Sequence, residues 1–230
     1  MQLPKLDPPF LGYLAESAFA PEQKLPTLNE ISSEMNISVG KLREQLEVAR
    51  SLGLVSVRPR VGMQREPFDF SAVILKAVLF SFATGEATFA QFSQLRRALE
   101  ESVWEDAVQM LTDNDKAELQ QLINRAWKKL GGKPIRIPNE EHRALHLTIF
   151  SRLDNPFVQG LLAAYWDAYE ASELTRFNSL EYWVEVWHYH QEIVDAICSG
   201  DFERGRQRLI KHFSLLRSVP AVDIPEINVT

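Results

Sequence analysis

The sequence predicts a mainly α-helical protein, with an N-terminal winged helix-turn-helix followed by a C-terminal antiparallel all-helical bundle. Three observations support this fold class. Residues 24–65 contain two short amphipathic segments, a tight turn and a pair of short alternating segments. From about residue 70 onward, apolar residues recur with helical periodicity and no convincing strand interrupts them. Asn-Pro, Gly-Asp and Gly-Gly pairs separate these periodic segments, as expected at helix ends.

The N-terminal helices carry recognisable start and stop signals. A first helix is expected from about Phe10 to Phe19, packed on the helical hairpin. Thr27 and Glu30 have the spacing of a capping box, which predicts the start of the second helix. Asn36 suits the left-handed residue that ends that helix, and Ser38 is a good N-cap for the third.

The third helix and the segment behind it predict a winged arrangement. The residues expected to face inward on this helix are Leu42, Leu46 and Ala49. Gly53 is expected to end it, and 54–57 and 63–65 then read as two short strands. The turn between these strands contains Arg58, Arg60 and Gly62.

The charge of this region favours contact with DNA. Between Val39 and Arg65 the chain has six cations and two anions, a local charge of +4, although the whole chain carries −6. A helical hairpin alone also fits a small packing domain, but a basic ribbon directly behind it favours a groove-binding helix beside a phosphate-binding wing. The residues expected to contact duplex DNA are Thr27, Ser38, Lys41, Arg43, Arg58, Arg60 and Gly62. Because the positive charge is modest, we expect a dimer that binds two half-sites of a palindromic operator.

Composition limits the remaining possibilities. With 45% hydrophobic and 24% charged residues, the chain reads as an ordinary soluble protein. No stretch approaches the roughly 20 apolar residues of a membrane span, and the N-terminus lacks a signal-peptide core. The single cysteine, Cys198, excludes an internal disulfide and is expected to be inert. We therefore expect a cytoplasmic protein with no membrane partner.

The C-terminal part predicts six or seven helices. Asn155 is expected to cap a helix with Pro156 at its first position, while Gly200 ends a helix and Asp201 caps the next. The expected helices cover residues 72–83, 87–111, 115–130, 139–153, 156–172, 180–199 and 202–216. The expected domains are residues 1–66 (winged helix-turn-helix), 67–69 (linker), 70–220 (metal- and effector-binding helical domain) and 221–230 (tail).

Four histidines in this bundle have spacings that allow them to meet. His142 and His146 are four residues apart, so their rings lie on one helix face. His190 and His212 lie 10 residues before and 11 after the Gly200-Asp201 turn, which places them at nearly the same height of a helical hairpin. His188 is two residues from His190, so it should point away.

Such a group predicts a divalent metal site, although histidines on a bundle face can also be purely structural. Imidazole suits zinc, nickel, copper and iron; we expect zinc, with nickel, manganese or iron as alternatives. Arg96 or its neighbour Arg97 is expected to turn inward, and Arg96 is the residue expected to hold a small carboxylate effector; both could instead be surface charges. The aromatic residues expected to form core or dimer interface are Tyr165, Trp166, Tyr182, Trp183, Trp187 and Tyr189.

The motifs together resemble one known family over nearly the whole chain. The matching segments are Lys24-Leu25-Pro26-Thr27, Leu42-Arg43-Glu44-Gln45-Leu46, Leu52-Gly53-Leu54-Val55, the wing turn, Leu95-Arg96-Arg97-Ala98-Leu99-Glu100, Asn155-Pro156, and the positions of His146, His190 and His212. In these the chain is similar to GntR-family transcription regulators of the FadR-like branch, which carry an FCD-type helical effector domain. The resemblance implies a homodimer whose operator binding is altered by a small effector.

The resemblance also implies a metal site of one Asp and three His. The three histidines match His146, His190 and His212, whereas His142 stands at the Asp position. The family's usual DNA-contacting arginines are absent at Asn29 and Val39, and only Arg43 remains of the three.

Two rival interpretations remain at this stage. One is a metal-free regulator whose helical domain binds an apolar or acyl ligand. The other is a helical metalloenzyme with Glu140 or Glu141 as general base and an interaction-only winged domain. We expect that the protein is not an enzyme, because a four-ligand site holds no activated water and no nucleophile–base pair is visible in the sequence.

Overall fold

The computed structural model describes residues 5–17, 19–172 and 179–215. Within those ranges the chain forms eleven helices and one two-stranded sheet. In chain order the elements are α1 (Pro9–Glu16), α2 (Leu28–Met35), α3 (Val39–Ser51), β1 (Val55–Arg58), β2 (Gly62–Arg65), α4 (Phe70–Ala83), α5 (Phe89–Ser102), α6 (Trp104–Gln109), α7 (Asp113–Leu130), α8 (Asn139–Ile149), α9 (Pro156–Ala171), α10 (Leu180–Ser199) and α11 (Phe202–Leu215). The mainly α-helical fold class is confirmed.

The chain divides into two compact units between Ala77 and Val78, inside helix α4. The beginning of α4 belongs to the first unit, where Lys76 Nζ donates a hydrogen bond to the backbone oxygen of Ser51. The predicted linker at 67–69 lies just before this helix. The domain boundaries derived from the sequence stay a prediction.

The helix ends of the first unit follow the predicted capping chemistry. Thr27 accepts a hydrogen bond from the backbone amide of Glu30 at 3.4 Å, and the Glu30 carboxylate accepts one from the Thr27 amide at 2.7 Å. Asn36 is left-handed with φ of 52°, and Ser38 accepts from the Lys41 amide at 3.2 Å. These caps confirm the predicted starts of α2 and α3.

The core of the first unit lies between α1, α3 and the wing. Its buried apolar residues are Phe10, Leu11, Leu14, Leu25, Ile31, Leu42, Leu46, Ala49, Val55 and Met63. The buried Gln45 accepts a hydrogen bond from the Phe10 amide at 2.9 Å, which fixes α1 on α3. The first helix ends at Glu16, earlier than the predicted Phe19.

The wing is an antiparallel ribbon in which Val55 pairs with Arg65 and Arg58 with Gly62. A third extended segment, which the sequence did not predict, lies along β2: the Leu25 amide donates to the Met63 oxygen at 2.9 Å. At the tip, Arg60 and Gly62 have φ of 65° and 95°. Such left-handed values are common only for glycine, so the tip holds one arginine in an unusual backbone conformation.

The second unit is an all-helical bundle. Helix α10 packs on α11 and α7, and the other helix pairs in contact include α7 with α8, α5 with α9, α8 with α9 and α11 with α5. Asn155 accepts from the amides of Phe157 and Val158, and the left-handed Gly200 ends α10, as predicted. Asp201 accepts from the Arg204 amide at 3.2 Å and caps α11.

One predicted helix of this unit was wrong. Residues 87–111 form two helices, because the chain breaks at Val103 (φ −103°, ψ 6°). The break turns the Trp104 ring into the core, where its Nε1 donates to the Phe202 oxygen at 2.9 Å. A Cβ on Gly205 would lie 2.8 Å from Trp104 Cζ2, so only glycine leaves room for this ring. From Phe70 onward the described residues therefore contain eight helices, and six or seven were predicted.

Smaller differences concern helix ends. Helix α7 begins at Asp113 after a Thr112 capping box, two residues before the predicted start, and α8 ends at Ile149 rather than 153. The predicted tail at 221–230 lies outside the described residues. In the part of the chain that the structure covers, no helix combines the length and apolar character that crossing a bilayer demands.

Candidate functional site

The surface of α3 and the wing carries the residues predicted to contact DNA. Lys41, Arg43, Arg58 and Arg60 are exposed, as are Thr27 and Ser38, while Gly62 is partly exposed. The hydroxyl groups of Thr27 and Ser38 already accept hydrogen bonds as helix caps. Arg58 lies 3.7 Å from Glu66, a solvent-exposed pairing that phosphate can replace at little cost.

The two cations in the first half of α3 point in different directions. Positions 41 and 43 are separated by about 200° around a helix, so Lys41 and Arg43 flank the exposed face. Asn29, at one of the positions where the family resemblance implies arginine, is exposed, and Val39 at the other is half-buried.

The second unit brings the four predicted histidines together in its core. His142 and His146 come from α8, His190 from α10 and His212 from α11. Each offers a ring nitrogen, and these nitrogens all lie within 4.8 Å of one another. The His190 and His212 ring centroids are 4.4 Å apart. This closeness agrees with the nearly equal heights that were predicted for the two residues in their helical hairpin. All four side chains are buried.

Burial lowers the pKa of each of these imidazoles well below its ordinary value. The nearby Arg96 guanidinium adds to this effect by Coulomb repulsion of a protonated ring. The rings are therefore neutral at pH 7, and each retains a lone pair on one nitrogen. A neutral imidazole with a free lone pair is the form that binds a metal ion.

The donor set fits a single divalent ion. Among the described residues, both ring nitrogens of His142 and His212, and Nδ1 of His190, have no hydrogen-bond partner despite being buried. Unpaired buried polar atoms are rare in folded proteins and call for an explanation. Around a tetrahedral ion with bonds of about 2.0–2.1 Å, ligand nitrogens lie about 3.4 Å apart, so the widest pair would need to approach by about 1.4 Å.

Arg96 is turned inward, and Arg97 is not. Arg96 is 1% exposed, and its Nε donates to Oε1 of the fully buried Glu100 at 2.7 Å. Its Nη2 lies 2.9 Å from Nδ1 of His146, and its guanidinium carbon lies 4.5 Å from the centroid of the Tyr165 ring. Arg97 instead pairs with the partly exposed Glu101.

Glu100 is a further residue of this site, and the sequence pattern did not indicate it. Its Oε2 lies 3.3 Å from Nδ1 of His146, so a carboxylate stands directly behind one of the four histidines. Burial raises the pKa of Glu100, and the Arg96 charge opposes that rise. We assign the pair as ionised, because a proton on Glu100 would leave the Arg96 charge buried without a counter-ion. The four-residue spacing of Arg96 and Glu100 was visible in the sequence, but their burial was not.

Three tryptophans surround His142. The ring centroids of Trp166, Trp183 and Trp187 lie 4.5, 5.9 and 6.2 Å from that of His142. Each ring is buried, which confirms the prediction that these aromatic residues belong to the core. None of the three indole Nε1–H groups has a hydrogen-bond partner within the described part of the chain. The neighbourhood of His142 is therefore rich in unused hydrogen-bond donors.

The remaining candidates lie elsewhere. His188 is exposed, as expected for the histidine that points away, and its ring contacts that of Trp127 in a tilted arrangement with 4.9 Å between centroids. Glu141, one of the two possible general bases, accepts a hydrogen bond from Lys129 at 2.8 Å. Glu140 is exposed.

A winged helix-turn-helix followed by a helical bundle is an architecture found in DNA-binding regulators. Two family models match the chain: "Bacterial regulatory proteins, gntR family" over residues 13–64 and "FCD domain" over residues 91–215. The second covers more than half of the chain. The chain therefore belongs to the GntR family of regulators and carries an FCD domain, as the resemblance predicted, and it is not an enzyme.

Relatives and solved structures agree with this assignment. The chain is 28% identical over 204 residues to the HTH-type transcriptional repressor NanR of Cronobacter sakazakii, covering 85% of this chain and 76% of that protein. It is 27% identical to NanR of Salmonella schwarzengrund, covering 85% and 75%. The fold resembles Streptococcus agalactiae GntR, with a TM-score of 0.62, 15% identity and coverage of 90% and 95%. It also resembles E. coli McbR/YncC, with a TM-score of 0.50, 20% identity and 90% coverage of both chains.

Proposed function

We propose that this protein is a homodimeric transcriptional repressor whose affinity for a palindromic duplex operator changes when a small carboxylate binds at a metal centre in the helical unit. The observation that carries the proposal is the buried group of four neutral imidazoles. Repression is proposed because the similar proteins are named transcriptional repressors. Because the proposed partner is duplex DNA, we propose that the protein acts in the cytoplasm.

In the DNA complex, α3 enters the major groove and the wing lies on the backbone. Arg43 is the proposed base-reading residue, because its planar guanidinium can bond a guanine in two places. Lys41, on the other side of the exposed face, would bind phosphate. Arg58, Arg60 and the backbone of Gly62 would contact phosphate from the wing, and Thr27 and Ser38 place their helix N-termini toward it. Two copies are needed because one head carries few cations.

At the metal centre, His142, His146, His190 and His212 would hold a divalent ion. Zinc is the proposed ion, with nickel and iron as alternatives, because an all-imidazole set suits these borderline transition metals. Manganese is a further alternative, although it prefers oxygen ligands. When bound, the ion supplies a positive charge that attracts an oxygen of the effector. The chain's own contribution is a buried group of four neutral ligands, since burial keeps the imidazoles unprotonated.

The effector is proposed to be an oxygen-rich acid rather than an apolar acyl chain. Arg96 and the indole groups of Trp166, Trp183 and Trp187 can only donate hydrogen bonds. A ligand that satisfies them must bring acceptor oxygens, and Arg96 is the proposed partner of its carboxylate. An acyl chain would leave the three indole donors buried and unpaired, at a cost of about 1–3 kcal/mol each. Effector binding would then shift the balance between two states that bind DNA differently.

The proposal is tested on the full-length protein with metal analysis and DNA binding together. Chelator-treated and zinc-reconstituted wild type, His146→Ala and the matched control His188→Ala are analysed for metal content and for affinity toward a duplex selected from genomic fragments. Gluconate and hexanoate, two six-carbon acids that differ in hydroxyl content, serve as the effector probes. We expect His146→Ala to lose zinc and any response to gluconate while retaining operator binding, and His188→Ala to behave as wild type. Full zinc content in His146→Ala would contradict the metal centre, and a response to hexanoate alone would contradict the effector class.

A further inference from the structure

We propose that Glu100 is a positioning residue of the metal centre, which fixes His146 in its ligating form and supplies the negative charge that the four imidazoles lack. This inference rests on the proposed metal site and adds a residue and a role to it. Glu100 does not need to touch the ion, since it acts through the ring of His146.

Glu100 approaches the ring of His146 at Nδ1, where its Oε2 lies 3.3 Å away. Nε2 of His146 lies 3.2 Å from Nε2 of His190 and therefore faces the other histidines. Arg96 Nη2 lies 2.9 Å from Nδ1 and 3.1 Å from Nε2 of the same ring, so it contacts both nitrogens. If Nε2 provides the lone pair to an ion, Nδ1 must carry the ring hydrogen. The group that can accept that hydrogen is Glu100, because Arg96 is a donor only.

When no ion is bound, the contacts to Arg96 and His190 fit the other tautomer. Arg96 Nη2 then donates to Nδ1, and Nε2–H of His146 donates to His190. Metal binding would therefore change the hydrogen bond at Nδ1 of His146. Without the ion, Nδ1 accepts a hydrogen bond from Arg96, and with the ion, Nδ1–H would donate one to Glu100. This exchange frees an N–H of Arg96 beside the ion, which links the two parts of the proposed effector site.

The charges around the four histidines give Glu100 a second role. Four neutral imidazoles and Arg96 alone would place a divalent ion in a site that contains only positive charge. Glu100 is the buried carboxylate among the described residues that contacts this group, and it is held by two hydrogen bonds from Arg96 at 2.7 and 3.3 Å. A carboxylate that accepts from a ligating histidine also makes that ligand more basic, and loss of such partners costs 10–100-fold in metal affinity.

The chain offers a matched control one residue away. Arg97 and Glu101 form the same kind of ion pair on the same helix, with 2.6 Å between Nε and Oε1, but at 30% and 24% side-chain exposure. Glu101→Gln therefore repeats the chemical change of Glu100→Gln outside the histidine group.

The test measures zinc affinity by competition with a chromophoric chelator, with zinc alone as the probe. We expect Glu100→Gln to bind zinc about 10–100-fold more weakly than wild type, and Glu101→Gln to stay within about twofold. Because Glu100→Gln leaves the Arg96 charge buried, the double variant Arg96→Met, Glu100→Met provides a folded comparison without buried charges. It should also bind zinc more weakly than wild type, but by less than Glu100→Gln, because Arg96→Met removes a positive charge from the same site. Nitrogen-15 NMR of the zinc-loaded ring should place the His146 hydrogen on Nδ1 in wild type and Glu101→Gln.

The outcomes separate this role from the metal centre itself. If wild type takes up no zinc, the metal centre fails and the Glu100 assignment fails with it. If wild type and Glu101→Gln bind zinc, and both Glu100 variants bind it as tightly, the metal centre stands and the Glu100 assignment is overturned. A hydrogen on Nε2 of the zinc-loaded His146 would overturn it as well.

Discussion

The four buried histidines predict a steep loss of stability in mild acid. Burial lowers the pKa of each imidazole well below 6.5 in the folded protein, while the unfolded chain retains the ordinary value. Above about pH 6.5 neither state binds protons at these rings, so the full stability is present. As the pH falls below that value, protons bind to the unfolded chain alone, and the free energy of unfolding decreases.

The size of this loss follows from the number of rings. A histidine that stays neutral when folded loses about 1.2 kcal/mol between pH 7.0 and about pH 5.5. Four such rings therefore lose about 5 kcal/mol, which is comparable with the whole stability of many domains. Carboxylates contribute little to this change, because histidine is the side chain whose ordinary pKa lies within the interval.

The assay is denaturant unfolding followed by tryptophan fluorescence in the presence of a chelator. All five tryptophans lie after Val78, so their emission reports unfolding of the helical unit alone. His188→Gln removes an exposed histidine and should leave the pH dependence unchanged, while His142→Leu should reduce the loss by about a quarter. A change in unfolding free energy below about 1 kcal/mol between the two pH values would refute this reasoning.

Four further substitutions test the packing, a helix cap and the DNA surface. Gly205→Ala places a Cβ 2.8 Å from Trp104 Cζ2 and should destabilise the helical unit by about 1–3 kcal/mol, measured by tryptophan fluorescence; an unchanged unfolding midpoint would contradict the close approach. Thr27→Ala removes the capping box and should cost the first unit about 1 kcal/mol, read from amide hydrogen exchange in α2. Arg43→Ala should weaken operator binding by about 1–3 kcal/mol and relax sequence preference, whereas Arg60→Ala should weaken binding to all duplexes and lower the salt slope by about one. Equal effects of the two arginine variants on operator and random duplex would contradict their separate roles.

Local chemistry made the helix ends and the histidine group predictable. The caps at Thr27, Ser38 and Asn155 depend on hydrogen bonds within three residues, so the sequence contains everything that they require. The meeting of His190 and His212 follows from counting residues on either side of one turn, because helix rise is constant.

Tertiary packing explains what the sequence did not reveal. Residues 87–111 contain no proline, and nothing local marks the break at Val103, which serves to bury Trp104 beneath Gly205. The pairs Arg96–Glu100 and Arg97–Glu101 have identical spacing and overlap in sequence. Only the packing of α5 against α9 and α11 decides that the first pair is buried beside His146 and the second is not.

The most direct measurement of the central claim is the dissociation constant for a genomically selected duplex, determined for zinc-loaded and chelator-treated protein at several salt concentrations. The account predicts affinity that falls steeply with salt, and an affinity for the selected duplex that shifts when gluconate is added to the zinc-loaded wild type but not to zinc-treated His146→Ala. Failure to bind any duplex in a salt-dependent manner, or an identical gluconate response in wild type and His146→Ala, would contradict it.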